Sequence, residues 1–297
     1  MFRATSGVGP LMHDLLGLVG CLAAPAVVMF ALGTRFRQRS MPRRQVLGLW
    51  TVVSLAFCGC ALVLTWQLSK SRRVQLVGDF VTRVANAGNL VALTLDDGPT
   101  PRHTEEVLNI LQRHGVSATF FVTGAELAAH PSLGRTIVAA GHELGNHSFS
   151  HQRMLFRSQR FIDSEIQRTD HLIREAGHRG PIYFRPPYGK RLWSLPLYLQ
   201  RANRPIMLWS IEPESQPFIA QSSKRITEHV LDQARPGSIL LLHVMYDSRS
   251  TSRRALPAII AGLRTRGLEP TPLGTVLSTQ RHQQPISAPA TPGAPVQ

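Results

Sequence analysis

The sequence predicts an α/β fold, in which a parallel sheet is covered by helices, following two transmembrane helices. The first observation is that short apolar runs alternate with amphipathic segments from Asn89 onward. The second is a pair of uncharged apolar stretches before residue 67, each of about 20 residues, which is the length of a membrane-crossing helix. The sheet is either open and doubly wound or closed into a barrel, and about 190 residues is short for a barrel of eight β/α units.

The two apolar stretches run over Leu15–Gly33 and Val46–Trp66. The first could instead be a signal peptide, but no cluster of basic residues precedes it and the second stretch is longer. A membrane hairpin over residues 1–68 is therefore the favoured interpretation. All three cysteines, Cys21, Cys58 and Cys60, lie inside these stretches, so neither a disulfide framework nor a cysteine zinc site is predicted.

The connection between the two stretches predicts the orientation of the hairpin. Its sequence, TRFRQRSMPRRQ, contains five arginines, and the positive-inside tendency places such a loop in the cytoplasm. Everything after Trp66 then lies on the outer, periplasmic or extracellular side of the inner or plasma membrane, as in a multi-pass protein of the cell envelope. Lys70, Arg72 and Arg73 argue mildly for the opposite orientation.

The net charge of +15 does not by itself indicate a nucleic-acid-binding protein. Nine Lys or Arg residues and a single acidic residue, Asp14, occur up to Val74, so a charge of +8 lies beside the apolar stretches. The rest of the chain has no basic patch interleaved with aromatic residues and no zinc-finger or RNA-recognition signature. Nucleic acid is therefore not expected as a partner, and the oligomeric state is left open.

The segments after the hairpin predict the organisation of the α/β domain. A linker is expected over residues 69–88, the domain over residues 89–280, and a disordered Pro/Ala/Gln-rich tail over residues 281–297. Helices are predicted over Thr104–His114 and Arg160–Ala176, the second with Ser158 as its N-cap. The strand candidates are LVALTL, ATFFVT, HELGNH, IYFRPP, IMLWSI and SILLLH.

Two polar motifs follow the first and third strand candidates, at the strand ends where α/β folds gather their active sites. Asp96 and Asp97 precede Gly98-Pro99, and form either a turn whose carboxylates bond backbone amides or part of a site. His147 and His151 lie four residues apart, so both imidazoles can point one way from a helical turn and suit Zn²⁺, with surface histidines as the alternative. Beside a carboxylate they would form a two-His-one-Asp metal set with open positions.

Two further motifs follow later strand candidates. In FRPPYGK, Arg185 can pair with a carboxylate bidentately, and the rigid Pro-Pro-Tyr-Gly turn could aim a backbone N–H into a site. An ordinary Pro-rich loop is the alternative for that motif. His243 ends the apolar strand ILLLH, where it can exchange a proton near neutral pH, unless it is a core-edge histidine bonded to the backbone.

The order Asp-Asp-Gly-Pro, His-Ser-x-x-His, Arg-Pro-Pro-Tyr and Leu-Leu-His resembles the polysaccharide deacetylases of carbohydrate esterase family 4, the NodB-homology domain. The resemblance covers the chain from Leu90 to Ser278. It implies a deformed β/α barrel with fewer than eight β/α units. It also implies a metal-dependent hydrolase that removes N-acetyl groups from N-acetylglucosamine-containing glycans such as peptidoglycan, chitin-like polymers or exopolysaccharide.

The resemblance further implies a role for each matching residue. Asp97, His147 and His151 are expected to bind a divalent metal, with Zn²⁺ as the first expectation and Co²⁺ or another ion as alternatives. Asp96 is expected to act as the general base, positioned by Arg185, and His243 as the general acid. Substrate contacts are expected from the backbone N–H of Tyr188 and from Pro187, Leu241, Trp209 and Glu212.

One segment, WSIEPESQPF, departs from the family pattern. Where the family usually reads Asp-x-x-Asp-Trp, the corresponding residues are Glu212, Ser215 and Gln216. Either Glu212 or Glu214 could orient the acid histidine, and either Trp209 or Phe218 could wall the acetyl pocket. Two alternatives to a polysaccharide deacetylase stay open: an N-deacylase of a lipid-linked sugar, and a catalytically inactive glycan-binding module.

Overall fold

The computed structural model describes residues 42–71 and 77–281, and begins with one long helix, α1 (Arg43–Lys70). Within it, Leu47–Ser69 spans 23 residues with a mean hydropathy of 2.2 and none of its most apolar window buried, so it is long and apolar enough to cross a membrane. The second predicted transmembrane helix, residues 46–66, lies in α1. The first, residues 15–33, and the predicted tail, residues 282–297, lie outside the described residues, so the two-helix hairpin is not confirmed.

The remaining described residues form an α/β domain. Its strands are β1 (Phe80–Val81), β2 (Leu90–Asp96), β3 (Thr119–Val122), β4 (Glu143–Asn146), β5 (Ile206–Met207), β6 (Ile239–His243) and β7 (Glu269–Thr271). Its helices are α2 (Thr104–Arg113), α3 (Gly124–Ala129), α4 (Pro131–Ala139), α5 (Gln159–Glu175), α6 (Ser194–Arg201), α7 (Pro217–Ala220), α8 (Ser223–Gln233), α9 (Ser250–Thr265) and α10 (Leu273–Arg281).

Both helices predicted by their periodicity are present, as α2 and α5. The N-cap predicted for α5 is also confirmed, because Ser158 Oγ accepts the backbone N–H of Phe161 at 3.2 Å. α5 buries Ile162, Ile166 and Ile173 on one side, as expected of an amphipathic helix packed on a sheet.

The sheet is parallel, with β2 at its centre. β2 pairs with β3, β6 and β7, β3 pairs with β4, and β1 pairs with β5. Single-residue bridges join Asn146 to Phe184, Phe184 to Ile206, and Ile211 to Leu240. The pairings therefore run from β6 through β2, β3 and β4 to β5 and return to β6 through Ile211. The parallel α/β architecture is confirmed, and from this ring of pairings we infer the deformed barrel.

The strand predictions differ from the structure in four places. IMLWSI forms a strand only over Ile206–Met207, and Ile211 adds a single-residue bridge. IYFRPP contributes only the bridge at Phe184, because Pro186 and Pro187 have no N–H for a ladder. The segment predicted as a linker, residues 69–88, contains β1, whose two residues are too few to give a period-2 signal. β7 was not predicted, since its three residues include Pro270.

The alternation of side chains along β2 separates a packing face from a polar face. Val91, Leu93 and Leu95 belong to the apolar cluster that packs against the outer helices, whereas Ala92 belongs to a second, inner cluster. Because successive side chains alternate, Thr94 and Asp96 point to the same side as Ala92. The inner face of β2 therefore becomes polar toward its carboxyl end.

Candidate active site and metal centre

The polar residues singled out in the sequence lie together at the carboxyl ends of the parallel strands. Asp96 at the end of β2 is paired in register with His243 at the end of β6. His147 follows β4 directly, and Arg185 follows the bridge residue Phe184. Segments that are far apart in the sequence thus supply one site, at the edge of the sheet where α/β folds bind their ligands.

The side chain of Asp96 is held by a buried arginine. Arg185 Nη1 donates to Asp96 Oδ1 at 2.5 Å and to Thr94 Oγ1 at 2.8 Å, and Nη2 donates to the Leu208 carbonyl at 3.1 Å. Burial lowers the pKa of the Arg185 guanidinium, and the charge and hydrogen bond of Asp96 oppose that shift. The other carboxylate oxygen, Asp96 Oδ2, faces His147 Nε2 at 3.7 Å and is the oxygen left for a water molecule or substrate.

Asp97, His147 and His151 each present one ligand atom, and these atoms all lie within 4.8 Å of one another. Asp97 Oδ1 lies 3.4 Å from His151 Nε2 and 4.0 Å from His147 Nε2. The same Oδ1 is buried and has no hydrogen-bond donor in the described part of the chain. Since a buried carboxylate oxygen without a partner is unfavourable and a cation would satisfy it, this donor set fits a divalent metal.

The imidazoles of both histidines are prepared for metal binding. His147 Nδ1 lies 2.8 Å from the carbonyl oxygen of Arg185, which can only accept, so Nδ1 carries the proton and Nε2 presents its lone pair toward Asp97. Burial, followed by the neighbouring His147, lowers the pKa of His151 despite the opposing charges of Asp97 and Asp96. A lowered pKa favours the neutral imidazole, which is the form that binds a metal.

The segment HSFSH was predicted as a helical turn, but it is an irregular loop. Ser148 and His151 have φ values of 66° and 54°, which no helix contains. Asn146 Oδ1 accepts the backbone N–H of Ser148 at 2.8 Å, and Ser148 Oγ accepts that of His151 at 3.1 Å. Side-chain acceptors therefore take the place of the backbone hydrogen bonds of a helix. The loop still brings His147 and His151 together, with ring centroids 4.9 Å apart.

The two adjacent aspartates are separated by a sharp turn after β2. Asp97 and Gly98 have φ values of 76° and 74°, and a Cβ at Gly98 would lie 2.8 Å from Met245 Cγ, so the position requires glycine. The turn is fixed by the Asp97 N–H, which donates to the Phe121 carbonyl at 3.0 Å. As a result Asp96 stays in the strand facing Arg185, while Asp97 faces the two histidines.

Glu214 is the carboxylate that holds His243. Its Oε2 lies 2.5 Å from His243 Nδ1, and both of its oxygens accept the backbone N–H of His243 at 3.0 Å. The hydroxyl of Ser252 donates to Oε1 of the same carboxylate. Glu212, the other candidate for this contact, instead accepts the indole N–H of Trp209 at 2.8 Å.

The surroundings of His243 determine its charge. Burial by itself lowers the pKa of His243, but the hydrogen bond and charge of Glu214, with the charges of Asp96 and Asp97, raise it to about 9. The imidazole is therefore protonated at neutral pH. Because Glu214 engages Nδ1, Nε2 is the atom from which His243 can give a proton to a ligand.

The residues predicted to contact substrate lie in the turn Pro187–Gly189 and in the apolar cluster beneath it. Tyr188 is exposed in the turn Pro187–Gly189, with its ring 4.9 Å from that of His151. Trp209 is buried beneath this turn, since a Cβ on Gly189 would lie 2.9 Å from its ring. Leu241 belongs to the same inner apolar cluster as Trp209.

Phe218, the other aromatic residue considered for the acetyl pocket, is 66% exposed. The guanidinium of Arg225 lies 3.8 Å from its ring centroid. Trp209 is thus the aromatic side chain that combines burial with contact to the Pro187–Gly189 turn.

Comparison with known proteins agrees with this geometry. A family model described as polysaccharide deacetylase matches residues 83–204. A chitooligosaccharide deacetylase of Bradyrhizobium sp. (strain ANU 289) is 36% identical over 197 residues, which cover 62% of this chain and 88% of that protein. The chain belongs to the polysaccharide deacetylase family. Its membership makes it a hydrolase that acts on N-acetyl amide bonds.

Solved structures of polysaccharide deacetylases share the fold. The peptidoglycan N-acetylglucosamine deacetylase Bc1960, solved with a hydroxamate, superposes with a TM-score of 0.61 at 30% identity, covering 67% of this chain and 91% of that one. A mutant of BA3943, a CE4 family pseudoenzyme with restored enzymatic activity, gives a TM-score of 0.60 at 26% identity, covering 68% and 72%. Since this fold also occurs in a pseudoenzyme, the proposed activity depends on the site residues themselves.

Two buried residues of this deacetylase support the loop that carries His147 and His151, and the sequence did not single them out. Glu165 of α5 accepts the backbone N–H and the hydroxyl of Ser150, both at 2.8 Å. Asn146 Nδ2 donates to the Ile166 carbonyl at 2.9 Å and to Asp170 at 2.7 Å. The only sequence signal for Glu165 is a charged residue next to the apolar stripe of α5, which is too common to single it out.

Proposed function

We propose that this chain is a metal-dependent deacetylase that hydrolyses the N-acetyl groups of an N-acetylglucosamine-containing polysaccharide. The observation that carries the proposal is the separation of two neighbouring carboxylates: Asp97 joins His147 and His151 in a metal-binding set, while Asp96 is paired with Arg185. Relatives named as chitooligosaccharide and peptidoglycan N-acetylglucosamine deacetylases support this substrate class.

The metal would be held by Asp97, His147 and His151, and we propose Zn²⁺. Bound there, a divalent ion supplies a Lewis acid for the acetyl carbonyl and lowers the pKa of a bound water. Asp97 needs to be ionised for this purpose, and its unpartnered Oδ1 is the oxygen that faces both histidines.

Asp96 and His243 would move the protons of the reaction. Asp96 accepts a proton from the attacking water at Oδ2, because Arg185 occupies Oδ1. His243 donates a proton from Nε2 to the departing amine, which needs one because an amide anion is a poor leaving group. The backbone N–H of Tyr188 stabilises the oxyanion, and Leu241 and Trp209 line the pocket for the acetyl methyl group.

We also propose that the enzyme is an integral protein of the inner or plasma membrane with its catalytic domain on the outer side. The apolar helix α1 and the five arginines before and at its start support this topology. A reporter fused after residue 75 tests it: an outward-facing signal is expected, and a cytoplasmic signal would contradict the orientation.

The activity test uses the full chain purified in detergent. With Zn²⁺ or Co²⁺ it is expected to release acetate from chitooligosaccharides or peptidoglycan, and Asp96→Asn is expected to abolish most of this release. If neither glycan releases acetate although the metal is bound stoichiometrically, the chain is an inactive glycan-binding module or acts on another N-acyl sugar.

A further inference from the structure

We propose that the surface formed by Arg153, Phe156, Arg157 and Trp193, here named the aromatic rim, rests on an acidic phospholipid bilayer. It lies beside the point where α1 leaves the membrane, so the active site opens close to the lipid surface. This inference rests on the proposed membrane insertion of α1, and the experiment below separates the two.

The first observation is that the end of α1 is attached to the loop that borders the site. Lys190 Nζ lies 3.9 Å from the ring centroid of Trp66. The backbone N–H of Arg191 donates to the Ser69 carbonyl at 3.0 Å, and its Nη2 donates to the Ser71 carbonyl at 2.5 Å. These contacts hold the loop after Tyr188 against the last turn of a helix whose apolar window is uncovered.

The second observation is an exposed aromatic pair on the same side. Trp193 is two residues beyond Arg191 and is 46% exposed, and Phe156 is 66% exposed. Their rings pack edge to face with centroids 5.9 Å apart. Gln159 Nε2 also donates to the Ser194 carbonyl at 3.0 Å, which ties the two segments together. Exposed Trp and Phe side chains of this kind are typical of surfaces that insert into the membrane interface.

The third observation is the charge of these segments. Residues 147–162 and 184–211 contain no Asp or Glu. The exposed residues Arg153 and Arg157 flank Phe156, and the guanidinium of Arg153 lies 4.9 Å from the Tyr188 ring. A basic surface around an aromatic pair is complementary to anionic lipid headgroups. Through Tyr188, which packs against His151, this surface is continuous with the metal-binding set.

Aromatic rings beside an active site could instead stack on sugar rings of a bound glycan. The bilayer is favoured as the occupant because the loop carrying Trp193 is joined to the end of an apolar helix. A long apolar helix and a basic aromatic surface attached to each other are expected to contact the same lipid surface.

The test places a fluorescent NBD probe at single cysteines in the full chain, reconstituted into vesicles of phosphatidylcholine and phosphatidylglycerol. Cys21→Ala with Cys60→Ala leaves Cys58 as the reporter of helix insertion. Replacing all three cysteines by alanine and adding Phe156→Cys reports on the aromatic rim. The matched control adds Phe218→Cys instead, since Phe218 is equally exposed at 66% and has an arginine, Arg225, beside its ring.

On adding vesicles, the emission at position 156 is expected to shift to the blue, and headgroup-labelled quencher lipids are expected to reduce it, whereas position 218 is expected to show neither change. Arg153→Gln with Arg157→Gln is expected to weaken the effect at 156. Equal emission at 156 and 218, with Cys58 quenched by acyl-chain-brominated lipid, would overturn the proposal but leave membrane insertion standing. An unquenched Cys58 would overturn both. Emission at 156 that responds to chitooligosaccharide and not to lipid would assign the rim to the glycan.

Discussion

Arg185 and Asp96 form a fully buried ion pair, with Nη1 2.5 Å from Oδ1 and the two side chains 0% and 2% exposed. The pair leaves one Asp96 oxygen available, and that oxygen faces His147, one of the proposed metal ligands. A buried carboxylate with one oxygen held by an arginine and the other directed at the proposed metal site suits a general base. The next two predictions follow from this relationship.

Asp96→Asn is expected to lower the rate of acetate release by a factor of about 10²–10⁴, the usual contribution of a general base. Metal content is expected to stay stoichiometric, because Asp97, His147 and His151 are unchanged. Asp97→Asn is the matched neighbour and is expected to lose metal as well as activity. Acetate assays and elemental analysis of both variants check this, and loss of metal from Asp96→Asn would contradict the separation of roles.

Arg185→Met is expected to destabilise the fold by about 3–5 kcal/mol, because it leaves the buried Asp96 carboxylate without its partner. Thermal unfolding in detergent measures the change. Arg264→Met is the control, since Arg264 and Glu269 pair at 2.7 Å with 37% and 40% of their side chains exposed. An exposed pair contributes about 0–1 kcal/mol, so similar effects of the two variants would contradict the assignment.

Glu165→Gln is expected to weaken metal affinity by about 10–100-fold, the range found for residues that orient metal ligands. Glu165 accepts two hydrogen bonds from Ser150, next to His151, one at each carboxylate oxygen. The amide of glutamine has only one oxygen, so it cannot accept both. Glu175→Gln is the control on the same helix, because Glu175 is exposed and pairs with His171 at 3.3 Å. Metal titration of the two variants distinguishes a specific effect from a general effect on α5.

The sequence singles out the three proposed metal ligands, but not the residues that support them. Asp97, His147 and His151 belong to short motifs directly after apolar strands, where parallel strands bring side chains together. Glu165 reaches the site from a helix 15 residues away from Ser150, and nothing local marks it. The choice between Glu212 and Glu214 was left open because they are two residues apart in an irregular turn, and only the backbone path decides which one faces His243.

Glu214→Gln is expected to move the alkaline limb of the kcat/KM profile to lower pH. Burial lowers the pKa of His243, but the hydrogen bond and charge of Glu214, with smaller contributions from Asp96 and Asp97, raise it from 6.5 to about 9. The acid therefore stays protonated, and the enzyme active, until the pH approaches that value. A metal bound by Asp97 would offset the contribution of the Asp97 charge to the pKa of His243. The alkaline limb of the metal-loaded enzyme is therefore expected at or below pH 9. Glu212→Gln, which changes the contact to Trp209 instead, is expected to leave the limb in place.

The same raised pKa has a consequence for stability. A group whose pKa is higher in the folded state stabilises the fold below its unfolded pKa, and this contribution is lost as the pH rises through the folded pKa. His243 therefore stabilises the fold fully below pH 6.5 and loses this effect as the pH passes about 9. Glu214→Gln is expected to lower the unfolding temperature at pH 6 more than at pH 10. An equal loss at both pH values would mean that Glu214 supports the loop by packing alone, without controlling the charge of His243.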